Sequence, residues 1–293
     1  MFAPSLSRPR QALLRSQSGP GSGAALQTAP TAPEIELSPE RFLAWLRRRL
    51  RWNLPLTPAC CEGCGAPLDG HGDHRAACMR SGRVQTRGKL VEATVARICR
   101  EAGGRVRTNV LLRNMNITVP SDDDRQIEVL LSGLPIANGA QLAVDVTLCS
   151  ALKADGTARA RAHWQNGAAI DDAVDDKEER YSELTRGERC RLKVLGLETG
   201  GRMSEATLEF LEQLAFAKAR FAPSYLRRAT QFAFLRRWTR MLAIGAANAF
   251  TASLLEDRDE LACHPAIDGA APWLGDLLSE ARHDDPVGPS RVA

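Results

Sequence analysis

The spacing of apolar residues changes from one segment of the chain to the next, and each spacing predicts either a helix or a strand. Leu90, Val91, Val95 and Ile98 recur at helical spacing, whereas QLAVDVTL is β-branched and almost continuously apolar, as in a buried strand. The core elements predicted in this way are a helix (88–102), three strands (106–112, 126–131 and 141–148), a second helix (171–184) and a fourth strand (190–197). This order, αβββαβ, predicts an α+β fold.

Further helices are predicted on both sides of this core. Ser38, Pro39 and Glu40 are typical of a helix start, and they open a basic amphipathic helix whose arginines would face solvent or phosphate. Ser204 begins an amphipathic helix, and another helix is predicted over 223–255. The Ser-, Pro- and Gly-rich N-terminus has no periodicity and is expected to be disordered, and the C-terminal tail is expected to be loose.

Composition narrows the class of protein. The 293 residues carry a net charge of +4 and 44% hydrophobic residues, which is ordinary for a soluble globular protein. No run approaches the roughly 18–20 apolar residues of a membrane helix, and the basic N-terminus lacks the apolar core of a secretory signal. We therefore expect an intracellular protein, nuclear or cytoplasmic, with no membrane partner. Arginines far outnumber lysines, which suits phosphate contacts but equally fits a GC-rich gene.

Four of the eight cysteines crowd into one short, turn-rich segment. Cys61 and Cys64 are separated by two residues, and His74 and Cys78 follow at a spacing that can close a tetrahedral zinc site. The segment has few apolar residues, so bound zinc would supply most of its folding energy. The pattern predicts a zinc knuckle with these four residues as its ligands.

Two of these ligands have a close alternative in the sequence. Cys60 can replace Cys61, and His71 can replace His74. A zinc site without nucleic-acid contact, or a cluster of free thiols, would also account for the pattern. The remaining cysteines occur singly in mostly apolar surroundings, which indicates buried free thiols in a reducing compartment rather than a disulfide framework.

An acid interrupts the most apolar of the predicted strands. Asp145 lies in the middle of LAVDVTL, where a buried carboxylate is costly unless a metal or a polar partner satisfies it. It is therefore the strongest single candidate for a functional residue. Taken by themselves, Glu128 reads as an exposed strand residue, and Lys177 within DDKEER reads as a solvated helix charge.

Together these motifs resemble the C-terminal region of site-specific non-LTR retrotransposon proteins. The motifs are, in order, CxxCG…GxHxxxC, a helix, R-x-I-E-V, L-A-V-D-V-T and K-x-x-x-Y, and they cover about 54–201. In that family a Cys-Cys-His-Cys zinc knuckle precedes a nuclease domain of the PD-(D/E)XK superfamily. The resemblance implies a restriction-endonuclease-like core, whose element order is also αβββαβ.

The resemblance assigns roles to individual residues. Glu128 and Asp145 stand at the family's two acids, which would hold Mg²⁺, a cation that prefers oxygen ligands. Lys177 and Tyr181 match the lysine and tyrosine of the following helix, where a lysine can orient the attacking water or neutralise charge on phosphorus. Glu92, on the preceding helix, matches an accessory acid of some superfamily members.

The sequence also departs from the family pattern. Glu128 replaces the usual aspartate, Gln126 replaces the usual proline, and the two acids are further apart along the chain. An acid from the neighbouring run Asp122-Asp123-Asp124 can take the place of Glu128. The alternative function is therefore a catalytically silent remnant that binds nucleic acid.

With the resemblance, the chain divides into six segments. They are a disordered basic N-terminus (1–34), a basic amphipathic helix (35–53), the zinc knuckle (54–86), the restriction-endonuclease-like domain (87–221), a C-terminal helical region (222–256) and a loose tail (257–293). The expected function is Mg²⁺-dependent nicking of target DNA for element insertion. The expected partners are DNA, RNA or both, together with an element-encoded reverse transcriptase acting in trans, because the sequence has no polymerase motif.

Overall fold

The four predicted strands pair into one mixed sheet whose spatial order follows the chain, β1-β2-β3-β4. The strands are β1 (Arg105–Leu111), β2 (Gln126–Ser132), β3 (Gln141–Cys149) and β4 (Cys190–Glu198). β1 pairs with β2 and β2 with β3 in antiparallel fashion, whereas β3 and β4 are parallel. The computed structural model describes residues 6–54, 59–115, 117–255 and 271–283.

Helices cover the sheet and extend beyond it at both ends of the chain. They are α1 (Arg8–Ser16), α2 (Pro39–Leu50), α3 (Asp73–Ala77), α4 (Arg83–Glu101), α5 (Ala168–Arg180), α6 (Ser182–Thr185), α7 (Glu205–Ala219), α8 (Arg227–Leu255) and α9 (Leu274–His283). The order from α4 to β4 is therefore αβββαβ, apart from the short turn α6. The prediction of an α+β fold is confirmed.

Packing explains why β3 is apolar almost throughout. The main apolar cluster joins one face of the sheet to α2, α4, α7 and α8, and it includes Trp45, Phe210 and Trp238. A second cluster, with Tyr181 and Leu184, covers the sheet beside α6. β3 lies between neighbouring strands and under helices, so it buries both faces, as a strand with parallel pairing commonly does.

The predicted disorder of the N-terminus is wrong for the described residues. α1 is helical, and its buried Ala12 and Leu13 pack against Ala151, Leu152 and Ala162 of the loop between β3 and α5. Ser16 accepts a hydrogen bond from the backbone N–H of Arg202. The segment is ordered because the loops of the core supply its apolar and polar partners, which local composition cannot show.

The arginines of α2 face inward more than predicted. Ser38 caps the helix as expected, accepting a hydrogen bond from the backbone N–H of Arg41. Arg41 and Arg48 are buried, whereas Phe42 and Leu43 are exposed. The prediction of a solvated or phosphate-facing basic face is therefore wrong for the buried arginines, because the protein uses them in internal polar contacts.

The tail is not loose throughout. α9 is helical over Leu274–His283 and packs on α8, with Leu277 buried in the main apolar cluster. The rest of the predicted tail, 256–270 and 284–293, and residues 55–58 of the predicted knuckle lie outside the described residues. Among the helices that the structure describes, none combines the length and the apolar character needed to cross a bilayer.

Candidate functional site

The four predicted zinc ligands converge. The ligand atoms of Cys61, Cys64, His74 and Cys78 all lie within 4.8 Å of one another. The sulfur of Cys78 is 3.9 Å from that of Cys61 and 3.8 Å from that of Cys64, and Nε2 of His74 is 3.3 Å from the Cys64 sulfur. Sulfurs at about 2.3 Å from a tetrahedral zinc stand about 3.8 Å apart. This Cys3His cluster is therefore compatible with zinc.

The structure distinguishes the ligands from their close alternatives. Cys60 is exposed and its backbone bridges to Pro67, outside the cluster. His71 is also outside the cluster, and its backbone N–H donates to Asp69. Cys61 and His74 are therefore the members that face the other two ligands.

Backbone contacts hold the cluster in shape. Asp69 accepts hydrogen bonds from the backbone N–H groups of His71, Asp73 and His74 at 2.8 to 3.0 Å. Burial raises the pKa of Asp69, but these donors outweigh it and hold the pKa below the usual range. Nδ1 of His74 lies 3.0 Å from the carbonyl oxygen of Ala154. Donation from Nδ1 would leave Nε2 as the free ligand atom, as is usual for a metal-bound histidine.

A close backbone approach requires glycine in the first cysteine turn. A Cβ added at Gly63 would lie 2.3 Å from the carbonyl oxygen of Arg80. The turn that carries Cys61 and Cys64 therefore packs directly on the segment after Cys78.

The thiol that would ionise most readily is Cys61. Burial raises its pKa, but the backbone N–H groups of Gly63 and Cys64 and the side chain of His74 lower it more, to about 6. Zinc binds thiolates, so an already ionised thiol favours metal binding at neutral pH.

The knuckle is docked onto the rest of the fold rather than hanging from it. Asp73 of α3 forms ion pairs with Arg48 at 2.6 Å and Arg51 at 2.7 Å. The buried guanidinium of Arg87 donates to the carbonyl oxygens of Ala76 in α3 and Leu148 in β3, at 2.7 and 2.6 Å. Two of the predicted segments, the basic helix and the knuckle, therefore share buried contacts with each other.

The second candidate site is an acid–lysine cluster, defined here as Glu92, Glu128, Asp145 and Lys177. Nζ of Lys177, on α5, lies 2.6 Å from Oδ1 of Asp145 on β3 and 3.8 Å from Oε1 of Glu128 on β2. Asp145 is fully buried, and neither of its oxygens has a hydrogen-bond partner of normal geometry. The ion pair with Lys177 is therefore its main compensation.

The sheet register places the two acids side by side. The β2–β3 ladder pairs Val129 with Val144, and one further step puts Glu128 opposite Asp145. Oε2 of Glu128 accepts a hydrogen bond of 2.7 Å from the backbone N–H of Val146, beyond the last ladder pair. Like charges directly opposite one another destabilise a sheet, and both the cation of Lys177 and protonation of a carboxyl reduce that repulsion.

Burial and mutual repulsion favour protonation of these carboxyls. Burial, then the charges of Asp145 and Glu92, raises the pKa of Glu128 to about 9. Burial also raises the pKa of Asp145, against the opposing effect of Lys177. Burial and the nearby Asp145 raise the pKa of Glu92, which shares a hydrogen bond with Glu128. Such shifts occur where carboxyls are crowded in a low-dielectric site.

Tyr181 borders the acid–lysine cluster, because its side chain also interacts with Asp145. The side chain is buried, and its hydroxyl donates a 2.8 Å hydrogen bond to the carbonyl oxygen of Gln126 at the start of β2. Burial, followed by the charge of Asp145, raises the pKa of Tyr181 to about 12. This geometry suits a residue that fixes the end of α5 against β2.

The aspartate run is not the source of the first acid. Asp123 forms a 2.7 Å ion pair with Arg125, whose guanidinium also contacts Glu183 at 2.7 Å, while Asp122 and Asp124 are exposed. Sequence reasoning missed this Arg125 network, which ties the loop before β2 to α6. The one signal for this network in the sequence is the position of Arg125, three residues before Glu128.

The two sites differ in the kinds of group that they bring together. Within the described residues, the cysteine–histidine cluster is the one group of three or more Cys, His, Asp or Glu side chains placed to hold a metal ion, with ligand atoms within 4.8 Å of one another. The acid–lysine cluster combines carboxyls, two of which, Glu92 and Glu128, share a hydrogen bond, with the ammonium of Lys177. Comparisons with protein-family models and with curated proteins found no match for this chain.

Proposed function

We propose that this protein is a Mg²⁺-dependent endonuclease of restriction-endonuclease-like fold, derived from a non-LTR retrotransposon, that nicks DNA. The observation that carries the proposal is the contact of Lys177 with both Asp145 and Glu128, three groups contributed by α5, β3 and β2. Burying an acid pair inside a sheet is costly for a protein that uses it only as structure. A catalytic use accounts for that cost.

The donor set fits a hard divalent cation. The carboxylate oxygens of Asp145 and Glu128, with Glu92 beside them, are the ligand type that Mg²⁺ prefers. The oxygens of Asp145 have no hydrogen-bond partner of normal geometry, so a metal would have to replace only the ion pair with Lys177 there. Bound Mg²⁺ would polarise the scissile phosphate and lower the pKa of a coordinated water.

The other residues then have defined tasks. Asp145 is fixed by its strand and supplies a buried carboxylate, while one oxygen of Glu128 stays anchored on the backbone of Val146. Lys177 is 24% exposed, and if a cation took over the neutralisation of the acids, its ammonium would be available to stabilise charge on the phosphate. Tyr181 is a positioning residue, because it holds the end of α5 on β2.

The ion pair between Lys177 and Asp145 also favours a second candidate function, that of a catalytically silent remnant that binds nucleic acid. Lys177 already neutralises Asp145 at 2.6 Å, so the fold is satisfied without a metal. A silent remnant would keep this arrangement and would only bind nucleic acid, through its zinc knuckle and arginines. In either case we propose an intracellular, nuclear or cytoplasmic, location, DNA or RNA as the partner, and a reverse transcriptase that acts in trans.

Plasmid nicking with Mg²⁺ tests the proposal. Asp145→Asn keeps the size of the side chain but removes its charge, and we expect nicking to fall at least about a hundredfold, the scale seen when transition-state charge loses one stabilising group. Asp124→Asn, an exposed acid of the nearby loop, is the matched control and should nick like the wild type.

Equal nicking by wild type and Asp145→Asn would overturn the assignment of the acid–lysine cluster. Binding of DNA without nicking by any form would leave the silent function as the better description.

A further inference from the structure

Exposed aromatic rings gather where α7 turns into α8. We define the α7–α8 tip as residues 216–232. Phe216, Phe221, Tyr225 and Phe232 are 58%, 79%, 83% and 52% exposed, respectively. Large apolar groups exposed next to one another mark an interaction surface more often than isolated ones do.

Cations accompany these rings, and the nearest acid along α7 is the exposed Glu212, four residues before Phe216. From Gln213 to Leu255 the sequence contains seven lysines and arginines and no aspartate or glutamate, and one of the seven, Arg237, is buried in ion pairs with Glu34 and Glu101. Arg220, Arg227 and Arg228 of the tip are exposed. The guanidinium carbon of Arg236 lies 6.0 Å from the ring centre of Phe232. The tip therefore presents exposed aromatic rings together with exposed arginine side chains.

The backbone keeps the rings on a short, defined turn. The tip includes a 3-10 turn, Ser224–Leu226, closed by hydrogen bonds that include Leu226 N–H to the carbonyl of Pro223. The side chain of Arg227 reaches back to the carbonyl oxygen of Ala222. The turn is thus tied to the segment that follows α7.

We propose that the α7–α8 tip binds single-stranded nucleic acid. Unpaired bases can stack on exposed aromatic rings, and arginines bind the phosphates that connect those bases. Duplex bases offer no free faces, because neighbouring base pairs cover them. The exposed large apolar groups of the tip are aromatic, whereas surfaces that enter lipid also use exposed aliphatic chains. This inference goes beyond the proposed nuclease function, because the tip includes none of the acid–lysine cluster.

Fluorescence anisotropy with the full-length, zinc-loaded chain tests the proposal. The probes are a labelled oligothymidylate of about 16 nucleotides, within the site sizes of single-strand binding folds, a duplex of the same length, and phosphatidylserine vesicles. We expect the single strand to bind more tightly than the duplex. Binding is measured without Mg²⁺, so a failure here is separate from a failure of nicking.

Substitution of the rings should weaken binding without harming the fold. Phe221→Ala and Tyr225→Ala should each weaken single-strand binding about tenfold, near the lower end of the effect of losing one stacked base. Both side chains are largely in solvent, so thermal unfolding should be unchanged. Trp164→Ala, a 59% exposed aromatic of the loop between β3 and α5, is the matched control and should bind normally.

Salt dependence separates the roles of rings and arginines. Arg228→Gln should make the slope of log K against log salt shallower by about 0.7, the value for one phosphate contact on a single strand. The ring variants should keep the wild-type slope. The proposal is overturned if the ring variants bind the single strand as well as the wild type does, if no single strand binds, or if the ring variants lose vesicle binding alone.

Discussion

The cysteine–histidine cluster and the acid–lysine cluster both bring several ionisable side chains together, but they differ in where the balancing positive charge comes from. The four ligands of the first lie within 18 consecutive residues of two turns, with atoms within 4.8 Å. The second draws its groups from α4, β2, β3 and α5, and it contains its own cation, Lys177. The side chains of the cysteine–histidine cluster surround a position that a metal ion could fill. The carboxyls of the acid–lysine cluster surround the ammonium group of Lys177.

This difference predicts different dependence on metal. The cysteine–histidine cluster has no internal cation, so we expect it to need a metal to be stable. The acid–lysine cluster already holds a cation, so we expect it to be stable without a metal and to bind one only by displacing Lys177. We therefore expect tight zinc in the first site and weak, exchangeable Mg²⁺ in the second.

Loss of one cysteine ligand should have the largest effect. Cys61→Ser should lose the metal and unfold the knuckle, because structural zinc contributes about 10–16 kcal/mol in isolated zinc-finger peptides. Zinc content and thermal unfolding measure the effect. Cys60→Ser, its exposed neighbour, should keep about one zinc per chain, the content of a single tetrahedral site. Equal zinc content in both variants would contradict the ligand assignment.

Removal of the internal cation should destabilise the acid–lysine cluster. Lys177→Met leaves the buried carboxyl of Asp145 without its partner, and breaking such a pair costs about 3 kcal/mol. Urea unfolding at pH 8 measures the change. Lys153→Met, at an exposed lysine of the loop between β3 and α5, is the control. The double variant Asp145→Asn/Lys177→Met should recover much of the loss, and no recovery would argue against the pairing.

The stability of the protein should depend on pH through Glu128. Its pKa is about 9 in the fold and is raised above the ordinary value of 4.5. Between these values the folded state holds a proton that the unfolded state has released, so stability falls as pH rises from about 5 to 9. Glu128→Gln should reduce that fall, measured by urea unfolding across the range. Mg²⁺ affinity of the wild type should rise over the same range, because the cation binds the ionised form.

Loss of the Tyr181 hydroxyl should have the smallest effect. Tyr181→Phe removes one hydrogen bond to Gln126 and leaves its carbonyl without that donor, which costs about 1 kcal/mol. For a protein of this size the melting temperature should fall by about 2–4 °C. Tyr225→Phe, at the other tyrosine of the chain, is the control because that side chain is 83% exposed. A loss of nicking with unchanged stability would show instead that Tyr181 acts directly in the reaction.

Local patterns predicted the elements well because their information is local. The stripe from Leu90 to Ile98, the N-caps Ser38 and Ser204 and the apolar run of β3 each depend on residues within a few positions of one another. The same holds for the zinc ligands, whose spacing along two turns is most of what a tetrahedral site needs. The choice between Cys60 and Cys61 needed the structure, because it depends on which way the turn faces.

The order αβββαβ and the presence of a cysteine–histidine cluster were thus readable from the sequence, since both follow from spacing over short stretches, whereas the choice between adjacent ligand candidates was not. The tertiary structure alone decided that Glu128 stands opposite Asp145, that Lys177 reaches both, that Arg48 and Arg87 are buried, and that α1 is ordered. These features depend on strand register and on which surfaces meet, and residues far apart in the chain set both.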